Sequence, residues 1–148
     1  MAVDTRQLAD RQAVVDVCVN YGLALDSRDW ARLRECFTAD AVADYAGTVN
    51  DGYGAIEAAC RAALEPLNAS QHLLGNHLVT LDPTNGDAAT SVCYFQAQHV
   101  KEGLPGGSHF VVAGRYDDRL IRTDSGWRIQ HRTLTIMWTS GNPDILPA

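Results

Sequence analysis

The 148-residue chain has a formal net charge of −6, from 12 basic and 18 acidic side chains, and 46% of its residues are hydrophobic. At this length one domain, spanning residues 1–148, can bury enough apolar surface to fold without cross-links. The basic residues form no cluster, which argues against nucleic acid or an anionic membrane as a partner.

The cysteines and the N-terminal segment indicate a cytoplasmic protein. The four cysteines are widely spaced and form no CxxC motif, which favours buried free thiols over disulfides: Cys18, Cys36, Cys60 and Cys93. The N-terminal residues lack a basic segment followed by an apolar core, and no apolar run approaches ~20 residues. We therefore expect neither a signal peptide nor a membrane span.

The first part of the chain is predicted to be helical. Asp4, followed three residues later by Gln7, resembles a capping box and predicts that a helix begins at residue 5. Apolar residues at helical spacing predict three helices, at 5–25, 30–37 and 55–67, and Asp29 marks the start of the second. A short strand is predicted at 41–45. Phe37 is expected on the buried face of the second helix.

The second part of the chain alternates polar and apolar residues, as strands do. The turn sequences Asn85-Gly86, EGLPGG and Asp124-Ser125-Gly126 separate four predicted strands at 70–81, 88–100, 108–123 and 127–138. Helices followed by hairpin-linked strands predict an α+β fold, in which three N-terminal helices pack on a curved, mainly antiparallel sheet. Such a sheet, wrapped around the first helix, is expected to enclose a deep conical pocket.

Asp26 is the first candidate for chemistry. It ends the apolar helical segment YGLALD, so it is either a cap exposed to solvent or an acid directed into the pocket. The best partner is His72, which strand alternation places on one face with Leu74, Asn76 and Leu78. A carboxylate that orients one imidazole nitrogen leaves the other free to act as a general base, although a histidine on an apolar face can also be a simple core residue.

Other polar side chains are predicted to reach the same pocket. Tyr21, five residues before Asp26, could bond to a substrate carbonyl or leaving hydroxyl, or could pack in the core. Gln96 and Arg132 lie within apolar strands and need polar partners, which a ligand or Asp26 could supply. The further residues expected to contact the substrate are Trp30, Phe37, Tyr45, Asn76, Tyr94 and Phe110.

A metal site is not expected from the sequence. Strict alternation would put His72 and His77 on opposite faces of their strand, and a possible pair of His99 and His109 has no evident third ligand. The chain also lacks GxSxG, GxGxxG and phosphate-loop motifs.

The sequence resembles the SnoaL-like branch of the nuclear transport factor 2-like superfamily, over about residues 8–138. The segments that carry the resemblance are YGLALDSRDWARLRECFTADAVADY, GYGAIEAA, SQHLLGN and GRYDDRLIRTDSGWRIQHRTL. The resemblance implies a cone with a deep, mostly apolar pocket, no cofactor or metal, and a homodimer. In similar dehydratases an Asp late in the first helix orients a His on the strand after the third helix, matching Asp26 and His72. Tyr21 matches a Tyr of the bile-acid dehydratases, and Gln96 is the nearest equivalent of a further polar group.

The function implied is a cofactor-independent lyase or isomerase, of the dehydratase or polyketide-cyclase type. Its substrate would be a hydrophobic cyclic small molecule, polyketide-like or steroid-like, with His72 as the general base, Asp26 as its orienting acid and Tyr21 as a hydrogen-bond donor. Two alternatives share the fold: a non-catalytic module that binds a small molecule, and an accessory subunit of an oxygenase.

Overall fold

Three helices pack on a six-stranded mixed sheet in the computed structural model, which describes residues 2 and 4–147. The helices are α1 (Thr5–Ser27), α2 (Trp30–Arg34) and α3 (Tyr53–Leu64), and a short 3-10 helix follows at Pro143–Ile145. The strands are β1 (Phe37–Tyr45), β2 (Thr48–Asp51), β3 (Ala69–Leu81), β4 (Ala88–Val100), β5 (His109–Thr123) and β6 (Gly126–Gly141). The α+β prediction is confirmed.

The sheet has the strand order β2-β1-β6-β5-β4-β3. The hairpins predicted between β3 and β6 are all antiparallel, whereas β1 pairs with β6 in parallel. This parallel pairing joins the N-terminal strands to the C-terminal strand. Local sequence signals do not specify this pairing, which places β1 and β2 beside β6 in the sheet.

The second helix is shorter than predicted. It ends at Arg34, and Phe37 is the first residue of β1 rather than a helical residue. The carbonyl of Cys36 accepts a hydrogen bond from the N–H of Ile129 at 2.8 Å, and Phe37 pairs with Ile129. Residues 36 and 37, which the sequence predicts to be helical, thus form their backbone hydrogen bonds with β6 instead.

Helix α1 lies close to β3 because of a glycine. The predicted cap at its start is confirmed, since the Asp4 carboxylate accepts the N–H groups of the first turn. Further along, a Cβ at Gly22 would lie 2.9 Å from Cδ1 of Leu74 and 3.6 Å from Cβ of His72. The absent side chain allows the close approach, and Asp26 follows one helical turn later on the same side.

A β-bulge interrupts β3 opposite Cys93. Gly75 pairs with Tyr94 and pairing resumes between Leu78 and Val92, so two residues of β3 oppose a single residue of β4. The bulge changes which alternate residues face the helices beyond it.

The predicted alternation along β3 is therefore wrong beyond residue 75. His72 faces the interior as expected, but the bulge turns Asn76 and Leu78 outward and His77 inward. Asn76 takes a left-handed backbone conformation with φ of 51°, which asparagine tolerates better than most residues.

The predicted state of the cysteines is confirmed. All four are free and buried, with Cys18 and Cys93 fully inaccessible to solvent. Within the described residues, no helix is both long and apolar enough to cross a membrane.

Candidate active site

Asp26 and His72 form a hydrogen-bonded pair between the end of α1 and β3. Oδ1 of Asp26 lies 2.7 Å from Nδ1 of His72, and Oδ2 accepts the backbone N–H of His72, also at 2.7 Å. The hydroxyl of Ser70 donates to Oδ1 at 3.0 Å. The carboxylate faces the sheet, so Asp26 is not a cap held out to solvent.

The pair has a defined protonation pattern. Burial alone would raise the pKa of Asp26, but the ring and backbone N–H of His72 and the Ser70 hydroxyl hold it below its ordinary value of 3.8. An ionised carboxylate accepts the proton on Nδ1, so the neutral form of the His72 ring carries its lone pair on Nε2. The His72 side chain is only 6% exposed. This is the arrangement of a general base in a largely dry setting.

His99 is a second imidazole beside His72 that the sequence analysis did not include in the site. The two ring centroids are 6.0 Å apart, and the rings are nearly perpendicular. Nδ1 of His99 lies 3.0 Å from the carbonyl oxygen of Phe110, and because a carbonyl only accepts, Nδ1 carries the proton. Burial lowers the pKa of His99, so the ring is neutral with its lone pair on Nε2.

Gln96, which was expected to supply the further polar group, lies on the opposite face of β4. His99 is 4% exposed, whereas Gln96 is exposed to solvent. Alternation along β4 could have distinguished the two residues. His99 lies an even number of residues from the apolar Cys93, Phe95 and Ala97, so it shares their face of the strand, whereas Gln96 lies on the other.

Two tyrosine hydroxyls lie deeper in the interior. The hydroxyl oxygens of Tyr21 and Tyr45 are 3.1 Å apart, and the Tyr21 ring packs edge-on against Phe37 and Tyr116. Burial raises the pKa of both hydroxyls well above the ordinary value, so both remain neutral donors. Of the residues predicted to line the pocket, Tyr21, Tyr45 and Phe37 are therefore brought together.

Arg132 is fully buried, and its partner is Asp118 rather than Asp26. Its Nε and Nη2 donate to the two Asp118 oxygens at 2.8 and 2.7 Å. The guanidinium packs against the rings of both Tyr21 and Tyr116, 4.2 and 4.0 Å from their centroids. Burial opposes the charge, yet the Asp118 carboxylate keeps the pKa of Arg132 well above its ordinary value. Arg132 thus helps to hold the Tyr21 ring in place through a cation–π contact.

The remaining predicted contact residues are divided between the interior and the surface. Phe110 is buried beside His99, with ring centroids 6.5 Å apart. Trp30 begins α2, where the guanidinium of Arg61 stacks on it at 4.8 Å. The predicted pocket positions of Asn76, Tyr94 and Gln96 are wrong, because all three are exposed on the face of the sheet that points away from the helices.

Two depressions open on the surface away from the pair of Asp26 and His72. The larger, about 580 Å³, is bounded by α1, α2 and the turn between β5 and β6, and includes Arg32, Glu35 and Arg128. The smaller, about 370 Å³, lies near the turn between β3 and β4. The His72 side chain lies instead in the interior, on the face of β3 against which α1 packs.

Comparison with known proteins places these features in a family. A model of the SnoaL-like domain matches residues 6–133. Terrestric acid biosynthesis cluster protein E of Penicillium crustosum is 33% identical over 143 residues, covering 93% of this chain and 90% of the fungal protein.

Solved structures agree with that match. A protein of Kribbella flavida superposes with a TM-score of 0.84 at 25% identity, covering 94% of this chain and 97% of the other. The hexachlorocyclohexane dehydrochlorinase LinA-type3 of Novosphingobium barchaimii shares the fold, with a TM-score of 0.79 at 17% identity and 99% coverage of both chains. The chain belongs to the SnoaL-like domain family of the nuclear transport factor 2-like superfamily.

Proposed function

We propose that this protein is a cofactor-independent lyase or isomerase that removes a proton next to a carbonyl group of a hydrophobic cyclic compound. The observation that carries the proposal is the 2.7 Å contact between Asp26 and Nδ1 of His72, which in the neutral imidazole places the lone pair on Nε2. Membership of a family whose fold includes a dehydrochlorinase supports an elimination. The similarity to a protein of a biosynthetic cluster supports a small-molecule substrate.

In the proposed reaction His72 is the base. Its Nε2 takes the proton, and the adjacent Asp26 carboxylate stabilises the imidazolium that forms. One of the two tyrosine hydroxyls, Tyr21 or Tyr45, donates to the other, and the Tyr45 hydroxyl also lies 3.7 Å from Sγ of Cys60. Because sulfur is a weak acceptor, the remaining O–H can donate instead to the substrate oxygen as it becomes an enolate. Because burial keeps these hydroxyls neutral, they act as donors and not as acids that lose their proton.

The structure also suggests where the proton goes next. Neutral His99 carries its proton on Nδ1, which is bonded to the Phe110 carbonyl, so its Nε2 accepts a hydrogen bond and has no proton to give. The acid available to a departing hydroxyl is then the His72 imidazolium generated by the first step. Returning the same proton to a different carbon gives an isomerisation. Elimination and isomerisation therefore both use His72 as the only base. Nε2 of His99 positions a substrate hydroxyl by accepting its hydrogen bond.

The pair of Asp26 and His72 favours catalysis over the two alternatives. A module that only binds an apolar ligand, or an accessory subunit of an oxygenase, has no need of a base held by three hydrogen bonds at its carboxylate. Burying polar groups in this way is costly unless they are fully paired. Their presence in the interior is better explained by a reaction than by apolar binding.

We also propose that the protein forms a homodimer through the outer face of its sheet. Leu73, Gln96, Ala113 and Trp138 form one cross-strand row on this face. Leu73 is 60% exposed and Trp138 is 47% exposed, with Tyr94 in the adjacent row at 43%. Large apolar side chains grouped in this way mark an interaction surface.

A proton-exchange experiment tests the proposed reaction. The protein is incubated in D₂O with a panel of cyclic ketones that carry a β-hydroxyl group, and deuterium at the α carbon and formation of the enone are followed by NMR. We expect exchange or elimination with at least one compound, and its loss in His72→Ala. Binding of these ketones without exchange would instead support the binding module, and equal exchange in His72→Ala would show that His72 is not the base.

A further inference from the structure

A second group of reactive side chains lies in the interior, apart from Asp26 and His72. Both Sγ atoms of Cys18 and Cys93 and one ring nitrogen of His77 all lie within 4.8 Å of one another. The two cysteines are fully buried and His77 is partly buried. Three elements, α1, β3 and β4, thus converge on one point.

The chain builds this group with two local features. Cys18 lies eight residues before Asp26 on the same side of α1, which separates the two sites by roughly 12 Å along the helix. The bulge in β3 places His77 opposite Cys93 and turns it inward. Without the bulge, strict alternation would direct His77 to the outer face, as predicted from the sequence.

One ring nitrogen of the histidine in this group has no hydrogen-bond partner among the described residues. Nδ1 of His77 is buried and makes no hydrogen bond to any residue that the structure describes. Burial lowers the pKa of His77, so the ring is neutral and offers a lone pair. A buried nitrogen without a partner costs free energy, and a bound cation would remove that cost.

We propose that Cys18, Cys93 and His77 bind one Zn²⁺ ion. Two thiolates and one imidazole are ligands that zinc prefers. Zn–S bonds of about 2.3 Å and Zn–N bonds of about 2.0 Å require ligand atoms about 3.5–3.8 Å apart, so binding draws the three atoms, now within 4.8 Å of one another, to that spacing. The fourth position of the tetrahedron is left for a solvent molecule or a small ligand. Both thiols lose their protons on binding.

The charges around the group are compatible with such an ion. Two thiolates neutralise a divalent cation, and the neighbouring Arg132 and Asp118 already neutralise each other through two hydrogen bonds. Nη2 of Arg132 and Oδ2 of Asp118 each lie 3.8 Å from Sγ of Cys18. The guanidinium can donate to the ligating sulfur, as outer-shell groups do at metal sites, and it offsets the repulsion between Asp118 and the thiolate.

Cobalt titration tests the proposal, because Co²⁺ takes the same ligands and gives an absorption band when thiolates bind it. Metal-free, reduced protein is titrated with Co²⁺ and then with Zn²⁺, and the bound metal is counted by native mass spectrometry. We expect one ion per chain, a thiolate-to-cobalt charge-transfer band that Zn²⁺ abolishes, and a higher melting temperature with Zn²⁺. Cys93→Ser and His77→Gln should each weaken Co²⁺ binding at least about tenfold.

Cys36→Ser is the matched control, since Cys36 is 2% exposed but lies outside the group. It should retain the band and the stoichiometry. The proposal is overturned if the wild-type protein shows no charge-transfer band, or if Cys36→Ser weakens binding as much as Cys93→Ser does. His77→Gln changes a partly exposed side chain, and its melting temperature without metal shows whether it is folded. An unchanged cobalt affinity in folded His77→Gln would remove His77 from the site.

Discussion

Asp26 and His72 are 46 residues apart in sequence, yet Oδ1 of one and Nδ1 of the other lie 2.7 Å apart. The contact exists because Gly22 lets α1 approach β3, and because the second carboxylate oxygen is tied to the backbone of His72. Asp26 is therefore held as the residue that orients His72. Its pKa lies below the ordinary range, which suits a permanent negative charge better than a proton acceptor.

Replacing either member of this pair should abolish most of the proposed activity. We expect His72→Ala and Asp26→Asn to lower the rate of α-proton exchange by about 10²–10⁴-fold, the contribution typical of a placed general base. Exchange rates measured by NMR on a substrate of the wild-type protein provide the check. His109→Gln serves as the control because His109 is exposed. A similar loss in His109→Gln would show that the effect is not specific to the pair.

His99 should make the folded protein sensitive to mild acid. Its pKa is lowered from the ordinary value of 6.5, so the unfolded chain binds a proton at a higher pH than the folded chain does. The contribution of His99 to the free energy of unfolding is then fully present above about pH 6.5, and it is lost as the pH falls from there toward the pKa of the folded state. We expect the free energy of unfolding, measured with urea at several pH values, to fall less steeply below that pH in His99→Gln. His77 titrates similarly but is present in both proteins, so the difference between them reports on His99. Parallel curves for the two proteins would contradict the assignment.

The buried ion pair should be far more important for stability than an exposed one. Arg132→Met leaves the Asp118 carboxylate buried without its partner, and we expect a loss of about 3–5 kcal/mol in the free energy of unfolding. Arg115→Met removes the exposed pair with Asp117, for which a much smaller loss is expected because solvent screens the two charges. Urea denaturation of both variants measures the difference. Equal losses would mean that the burial of Arg132 is not what makes the pair important.

The proposed homodimer predicts which surface substitutions change the mass in solution. Trp138→Glu introduces a charge at the end of the cross-strand row on the outer face and should produce a monomer in size-exclusion chromatography with light scattering. Val49→Glu is the control, because Val49 is 63% exposed but lies on β2, at the other edge of the sheet. A wild-type protein that elutes as a monomer would exclude this interface.

Much of the architecture was predictable from local patterns. The helix that begins after Asp4, the four long strands and their hairpins all follow from signals that span a few residues, such as alternation and turn sequences. The chemistry of the residues made His72 the best candidate partner of Asp26, and the resemblance to a family supported that hypothesis. Nothing in the spacing of the two residues brings a helix end and a strand start together.

Three features depended on contacts between distant segments. Phe37 joined a strand because β6 offered pairing, Arg132 found Asp118 on the neighbouring strand, and the bulge turned His77 into the interior. In each case the local sequence allowed more than one arrangement.

The sequence by itself determined the fold class, the helices and the hairpin strands, because their periodicity reflects interactions between near neighbours in the chain. The tertiary structure decided the faces and partners of individual side chains. His99 replaced Gln96 beside His72, and His77 turned toward Cys93, because strand register and bulges are set by packing across the whole sheet.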